Sequence, residues 1–372
     1  MSTAFRRVAF SYLDQQFADM DSYMSAIRKV ATQGDFTLGG AVGEFEQRFA
    51  SLCRIPYAVS VGSGTDSLIL SLKMLGVGPG DEVITTPMTF IATAGAIVAT
   101  GARPVFVDSE DGFVIDPALI ERAITPQTKA IMPVHYTGNV ADMPRIMEVA
   151  NAHGLQVVED ACQSIMAEID GIPVGSSGSA AGFSLHPLKN LNVWGDGGVV
   201  VTQSPELAEK LRLYRNHGLE DRDNVATFGV NSRLDSIQAA IGNQLIGQAE
   251  SITQRRIENA EYYDRELTSL GDVVGVPQRR PGVRHVYHLY MVRARNRDDL
   301  VLFLNSRGVE AKVHYPIPVH LQHAAAYLGY EPGSFPVCEQ DCQNVITLPA
   351  HQHLQAEDLA YVVEQIKAFY AG

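Results

Sequence analysis

Between about residues 57 and 202, short apolar runs alternate with helix-like stretches, and few folds tolerate that rhythm. The runs are Tyr57–Val61, Glu82–Thr85, Pro104–Val107, Ala130–Val134, Gln156–Glu159, Ala181–Ser184 and Gly198–Thr202. They are rich in Val, Ile and Phe and lack the polar alternation of a half-exposed sheet. Strands of this kind are buried on both faces, so they predict a mainly parallel, mixed seven-stranded sheet flanked by helices. Helices are predicted over Thr65–Leu75, Phe90–Ala99, Pro117–Ala123 and Met143–His153, the last opened by Asp142 as N-cap and closed at Gly154.

Past residue 230 the texture changes. A long helical pattern over Leu234–Glu266 is followed by strand-like His288–Val292 and Val309–His314 and a terminal helix over Ala356–Tyr370. The expected class is α/β: a large domain over residues 35–249 and a smaller α+β domain over 250–372. The segment 1–34, with a helix over Phe17–Thr32, is expected to pack on the smaller domain.

The chain has 372 residues, 46% of them hydrophobic and 19% charged, enough to bury a substantial core. A net charge of −13 argues against a polyanionic partner such as nucleic acid, which would need a basic face. A single phosphate remains possible, because backbone N–H groups and a few side chains can hold one. Cys53, Cys162, Cys338 and Cys342 are too scattered for a disulfide scaffold. Cys338 and Cys342 have helical spacing, but no second pair accompanies them at zinc-ligand spacing, so no metal is expected. No basic stretch followed by an apolar run opens the sequence, and no segment reaches the length of a membrane span. A reducing cytoplasm is the expected compartment.

Three places carry chemistry. Gly62-Ser63-Gly64-Thr65-Asp66 lies between a predicted strand and helix. It is either ordinary turn geometry or a phosphate cradle at a helix start; it is neither a dinucleotide fingerprint nor a P-loop. Asp160 ends the apolar run of Val157-Val158-Glu159-Asp160-Ala161-Cys162-Gln163, where ligands of doubly wound sheets lie. Its carboxylate either caps a helix beginning at Ala161 or faces a cationic ligand group. Gln163 could reach a ligand or face solvent. Lys189 follows in Ser184-Leu185-His186-Pro187-Leu188-Lys189-Asn190, ahead of the glycine turn Gly195–Gly198. An amine able to form a Schiff base and a carboxylate able to hold a pyridine nitrogen protonated are what a pyridoxal phosphate enzyme needs.

These segments, with others in the same order, resemble the DegT/StrS-type sugar aminotransferases, a branch of the aspartate aminotransferase fold. Beyond those already quoted, the match takes in Phe36-Thr37-Leu38-Gly39, Gly78-Pro79-Gly80-Asp81-Glu82 and Pro133-Val134-His135-Tyr136-Thr137-Gly138. It extends through Gly229-Val230-Asn231-Ser232-Arg233-Leu234 to His314-Tyr315-Pro316-Ile317-Pro318-Val319-His320. The resemblance implies a large domain that binds pyridoxal 5'-phosphate, with Lys189 as Schiff-base lysine and proton shuttle. It implies Asp160 on the pyridine nitrogen, Gln163 on the ring oxygen, Phe90 stacked on the ring, and Gly64, Thr65 and Ser184 on the phosphate. Asn231 matches the asparagine that reaches the phosphate in the neighbouring subunit, which implies a homodimer with shared sites.

The resemblance further implies L-glutamate as amino donor and a keto-sugar, nucleotide-linked or phosphorylated, as acceptor. His135, Tyr136, His288, Tyr315 and His320 stand near places the family uses for sugar and donor, while Arg233 either binds an anionic group or braces the subunit interface. Some members carry histidine at the lysine position and are dehydratases; Lys189 favours transamination over that reaction. An amino-cyclitol aminotransferase is a further alternative within the fold, and Lys189 with Asp160 weighs against a non-catalytic regulator.

Overall fold

The computed structural model describes residues 6–372; the first five residues of the 1–34 segment lie outside the described part. Its largest element is a seven-stranded sheet whose strands are β1 (Tyr57–Val61), β2 (Glu82–Thr85), β3 (Arg103–Phe106), β4 (Thr128–Ile131), β5 (Gln156–Asp160), β6 (Ala180–Ser184) and β7 (Gly198–Thr202). The spatial order is β1-β7-β6-β5-β4-β2-β3. Strand β7 runs antiparallel to both neighbours, and the other adjacent pairs are parallel. The expected runs fall on these seven strands, with shifts of a residue or more at several ends. Val199, Val200 and Val201 are fully enclosed, which is why the runs carry no polar alternation.

Helices cover the sheet. Among them are α1 (Met20–Gln33), α2 (Gly40–Cys53), α3 (Gly64–Met74), α4 (Ala92–Ala99) and α5 (Met143–His153). The expected helix over Pro117–Ala123 is two short 3-10 turns, Pro117–Leu119 and Glu121–Ala123. The long pattern past residue 230 is two helices, α6 (Ser236–Leu245) and α7 (Ala249–Leu267), separated by a 3-10 turn at Ile246–Gln248. Gly247 in that turn weakens the helical run.

A second core gathers on a small antiparallel sheet of Val274–Gly275, Tyr290–Ala294 and Val345–Leu348, covered by α7 and the helix Ala356–Ala371. Residues Tyr290 to Ala294 alternate between two cores: Tyr290, Val292 and Ala294 face this one, and Met291 faces a third cluster around Met88, Phe106 and Phe335. The expected strand over Val309–His314 makes only isolated bridges, Val8 with Val309 and Lys312 with Thr347. The N-terminal segment divides. Val8 bonds to Gly308 and Glu310 and joins the second core, while α1 lies against α6 and its Tyr23 joins the large core.

Close approach of α3 to the sheet fixes where the site opens. A Cβ at Gly198 would stand 2.1 Å from the Ser63 carbonyl oxygen, and one at Gly64 would stand 2.6 Å from Ser184 Cβ. Both glycines therefore let the helix start press onto β6 and β7. We expect Gly198→Ala to cost about 1–3 kcal/mol, the usual range for overpacking. Denaturant unfolding beside a pyridoxal phosphate titration checks this, with affinity falling together with stability because Ser63 and Gly64 must shift.

Candidate active site

The carboxyl ends of β1, β5 and β6 open into a cleft of about 410 Å³. It is bordered by Gly64, Thr65, Phe90, Asp160, Gln163, Ser184, Lys189, His288 and Tyr315, which brings together nine of the expected residues.

Asp160 does not cap a helix, because turns follow it. Its Oδ2 accepts from Thr93 Oγ1 at 2.6 Å, and its Oδ1 accepts from the Cys162 N–H at 3.2 Å. The Thr93 hydroxyl lies 2.7 Å from that of Thr89, in the loop before α4. Two donors on the two oxygens hold the carboxylate in one orientation. Gln163 is oriented too: its Oε1 accepts from the Thr137 N–H at 2.8 Å, which leaves its NH₂ to donate into the cleft. Thr137 and Gly138 both have positive φ, 63° and 95°, and their carbonyls hold the Leu289 and Val286 N–H groups. That turn therefore holds residues 286 to 289 beside the cleft.

Lys189 sits on a loop gripped from several sides. Its N–H donates to His186 O at 2.8 Å, closing a turn. Asn190 Nδ2 reaches Val286 O at 3.0 Å. Tyr12 Oη lies 3.1 Å from Leu188 O and 3.0 Å from Lys189 O. Burial lowers the Lys189 pKa from its ordinary value, and the neighbouring Cys162 and Asp160 oppose that shift. Opposite it, Ser63 caps α3 by accepting from the Asp66 N–H at 3.0 Å, so the helix start at Gly64 and Thr65 points unsatisfied N–H groups at the cleft.

These residues fit pyridoxal phosphate. The helix start and the Ser184 hydroxyl suit a phosphate, the fixed Asp160 carboxylate suits a pyridine N–H, and the Gln163 NH₂ suits a phenolic oxygen. Phe90 is 48% exposed and borders the cleft, with its ring 5.9 Å from that of Tyr315, so an aromatic face is offered to a planar ligand.

Other expected residues lie off the cleft lining. His135 Nε2 lies 2.9 Å from Glu159 Oε2, and that fully buried carboxylate also accepts N–H groups of Gly175, Ser177 and Gly178. Tyr136 is buried and donates to His314 O at 2.9 Å. His320 is buried with its Nε2 3.1 Å from Glu339 Oε1. All three brace the frame. Arg233 donates to Asn216 Oδ1 at 2.9 Å, and Asn231 is exposed outside the chain's own cleft. Tyr12, Thr93, His314 and Arg256, which also border the cleft, were not singled out from the sequence. Nothing local marks them, since their partners are far away along the chain.

The fold and this cleft together define a pyridoxal-phosphate-dependent transaminase. The chain belongs to the DegT/DnrJ/EryC1/StrS aminotransferase family, whose model matches residues 18–367. It is 43% identical over 361 residues to the pleiotropic regulatory protein of Geobacillus stearothermophilus, covering 96% of this chain and 97% of that one. It is also 43% identical over 346 residues to the dTDP-3-amino-3,4,6-trideoxy-alpha-D-glucose transaminase of Streptomyces venezuelae, covering 92% and 90%. Among solved structures, S. venezuelae DesV superposes with a TM-score of 0.95 at 42% identity, covering 98% of each chain. NtdA of Bacillus subtilis, with bound cofactor PMP, gives 0.92 at 32% identity, covering 100% of this chain and 87% of that one.

Thr93→Val removes the donor on Asp160 Oδ2, and a hydrogen bond to a charged group is worth about 1.5–3 kcal/mol. We expect pyridoxal phosphate affinity to fall tenfold or more, and Thr93→Ser to restore most of it, as read by titrating the cofactor's absorbance.

Proposed function

We propose that this protein transfers an amino group from L-glutamate to a nucleotide-linked keto-sugar, with pyridoxal phosphate held in the cleft between β5, β6 and α3. The observation that carries the reading is Lys189 and a doubly held Asp160 bordering one cleft that also offers a helix start for a phosphate. Support for the acceptor class comes from relatives. Besides the S. venezuelae transaminase, the UDP-N-acetyl-3-dehydro-alpha-D-glucosamine 3-aminotransferase of Acidithiobacillus ferrooxidans is 40% identical over 353 residues.

When bound, pyridoxal phosphate supplies an electron-withdrawing ring that accepts the charge left as the donor loses its α-proton. Asp160 would keep the pyridine nitrogen protonated. Gly64, Thr65 and Ser184 would hold the phosphate, Gln163 would donate to the ring oxygen, and Phe90 would offer its aromatic face to the ring. The lowered pKa of Lys189 makes its free amine more available, so Nζ takes the donor's proton and returns one to the acceptor side. His288, with its pKa held well below the ordinary value by burial, stays neutral and can only exchange hydrogen bonds with a sugar. Tyr315 offers its ring and hydroxyl to the same ligand.

The working unit in this reading is a homodimer. Asn231 sits on an exposed segment with Phe228, 96% exposed, and Val225, 54% exposed, an apolar surface that a second copy would cover. From there Asn231 would reach the partner's phosphate, with Arg233 at the same seam. We divide the chain into a cofactor domain over 35–249 and a smaller domain over 250–372. Four free cysteines suit a reducing cytoplasm, and no helix among the described residues is long and apolar enough to cross a membrane.

Added pyridoxal phosphate should give the wild-type protein a visible absorbance band that Lys189→Ala lacks, and L-glutamate should bleach it with release of 2-oxoglutarate. No band, or ammonia released without amine transfer, contradicts the transaminase reading. Mixing Lys189→Ala with Asn231→Ala subunits should restore part of the activity, because one site per hybrid carries neither substitution; no recovery contradicts the shared site.

A further inference from the structure

The wall of the cleft that carries Tyr315 continues as a file of rings. From Phe90, ring centres step 5.9 Å to Tyr315, 5.3 Å to His314 and 5.7 Å to Phe10. All four residues border the cleft. The file ends on a charge, because Lys312 Nζ lies 4.6 Å from the Phe10 ring centre. The backbone fixes this end. The Lys312 N–H donates to Thr347 O at 3.0 Å, the Thr347 N–H donates to Lys312 O at 2.8 Å, and Thr347 Oγ1 lies 2.9 Å from His314 Nδ1. Lys312 and His314, two residues apart, therefore meet the same Phe10 ring from one side of their segment.

The charge on Lys312 is exposed and is not neutralised by an ion pair among the described residues. Glu310, the acid that feels it, is already engaged: its Oε1 accepts from Arg7 at 3.0 Å and its Oε2 from the Phe10 N–H at 2.9 Å. The lysine and arginine that border the cleft itself are Lys189 and Arg256. Lys189 serves the chemistry, and Arg256 is enclosed on α7 and engaged by Gln352, two backbone carbonyls and the Tyr12 hydroxyl. The imidazoles add no charge near neutral pH, since burial drives His288 well below its ordinary value and His314 and His351 down to about 4. A chain of net charge −13 repels an anionic ligand unless a local cation offsets that field. Lys312 is the cation this wall offers to an anion arriving from solvent.

We propose that Lys312 binds the diphosphate of the nucleotide-linked sugar, which lies beside Phe10 at the outer end of the file. This rests on the transaminase reading and deepens it, since Lys312 would select acceptors by the charge attached to their sugar. With the keto-sugar beside Lys189 and Tyr315, the diphosphate extends along the same rings, and Nζ turns from the Phe10 face to a phosphate oxygen. A weak cation–π contact is exchanged for a charge-assisted hydrogen bond, which favours the charged ligand over a neutral sugar. A flexible stem and three donors suit lysine to that task, because a phosphate demands no fixed fork geometry.

The nucleotides dTDP and UDP carry the diphosphate without the reacting sugar, so they separate this assignment from the reaction. In the wild-type holoenzyme, bleaching of the visible band by L-glutamate tests the transaminase reading, and calorimetric binding of dTDP and UDP tests the diphosphate site. Lys312→Gln should weaken nucleotide binding about tenfold, the size of one lost charge-assisted hydrogen bond, and flatten the fall of affinity with added salt. Lys312→Arg should keep most of the affinity. Lys367→Gln removes the same charge from the terminal helix and should leave nucleotide binding as it is. A visible band retained in each variant shows that the cofactor site is intact. Unchanged nucleotide affinity in Lys312→Gln, an equal loss in Lys367→Gln, or no binding of either nucleotide to the wild type would each overturn the assignment. Glucose 1-phosphate is the other source of a phosphate beside a sugar; affinity equal to the nucleotide's would place a sugar monophosphate at Lys312 and refute the diphosphate.

Discussion

A carboxylate at the end of a buried strand is costly to place, and much of the surrounding structure serves it. Asp160 would lose its hydration at the end of β5 without compensation, so Thr93 and the Cys162 N–H occupy its two oxygens. Thr93 reaches it because α4 starts beside the carboxyl end of the neighbouring strands, and Thr89 steadies Thr93 in turn. The next residue inward, Glu159, is buried on the other side of the chain and is satisfied by His135 and three backbone N–H groups. Two adjacent acids thus point opposite ways along one strand, one braced inside and one presented to the cleft.

The lysine answers that carboxylate from a loop that could not hold itself. Residues 185 to 197 contain little regular structure, and their order comes from outside: the Tyr12 hydroxyl, the Val286 carbonyl, and Gln238, whose side chain bonds both N–H and C=O of Trp194. The N-terminal segment and the residues around Val286 therefore help place an amine that belongs to the large sheet. The turn at Thr137 and Gly138, with its left-handed backbone, clasps residues 286 to 289 in turn.

The sheet was readable in the sequence because burial on both faces leaves its strands mostly apolar, as in Gly198–Thr202. That Lys189, Asp160 and Gln163 share one cleft was readable because their residue types and order are characteristic. Other features left no local trace. The Thr93–Asp160 bond spans 67 residues and the Tyr12–Lys189 bond 177, so topology alone creates them. His135, Tyr136 and His320 have the residue types of a sugar site, yet each is spent on an internal partner that sequence order does not show. The pattern over Leu234–Glu266 concealed a break, since a single 3-10 turn barely disturbs helical periodicity.

The central claim is that one amine, Lys189, meets the cofactor opposite Asp160. Borohydride reduction of the protein loaded with pyridoxal phosphate, followed by peptide mass spectrometry, tests it directly. The structure predicts a pyridoxyl group on the peptide containing Lys189 and on no other lysine. A label on another lysine, or none on Lys189 at full cofactor loading, would contradict it.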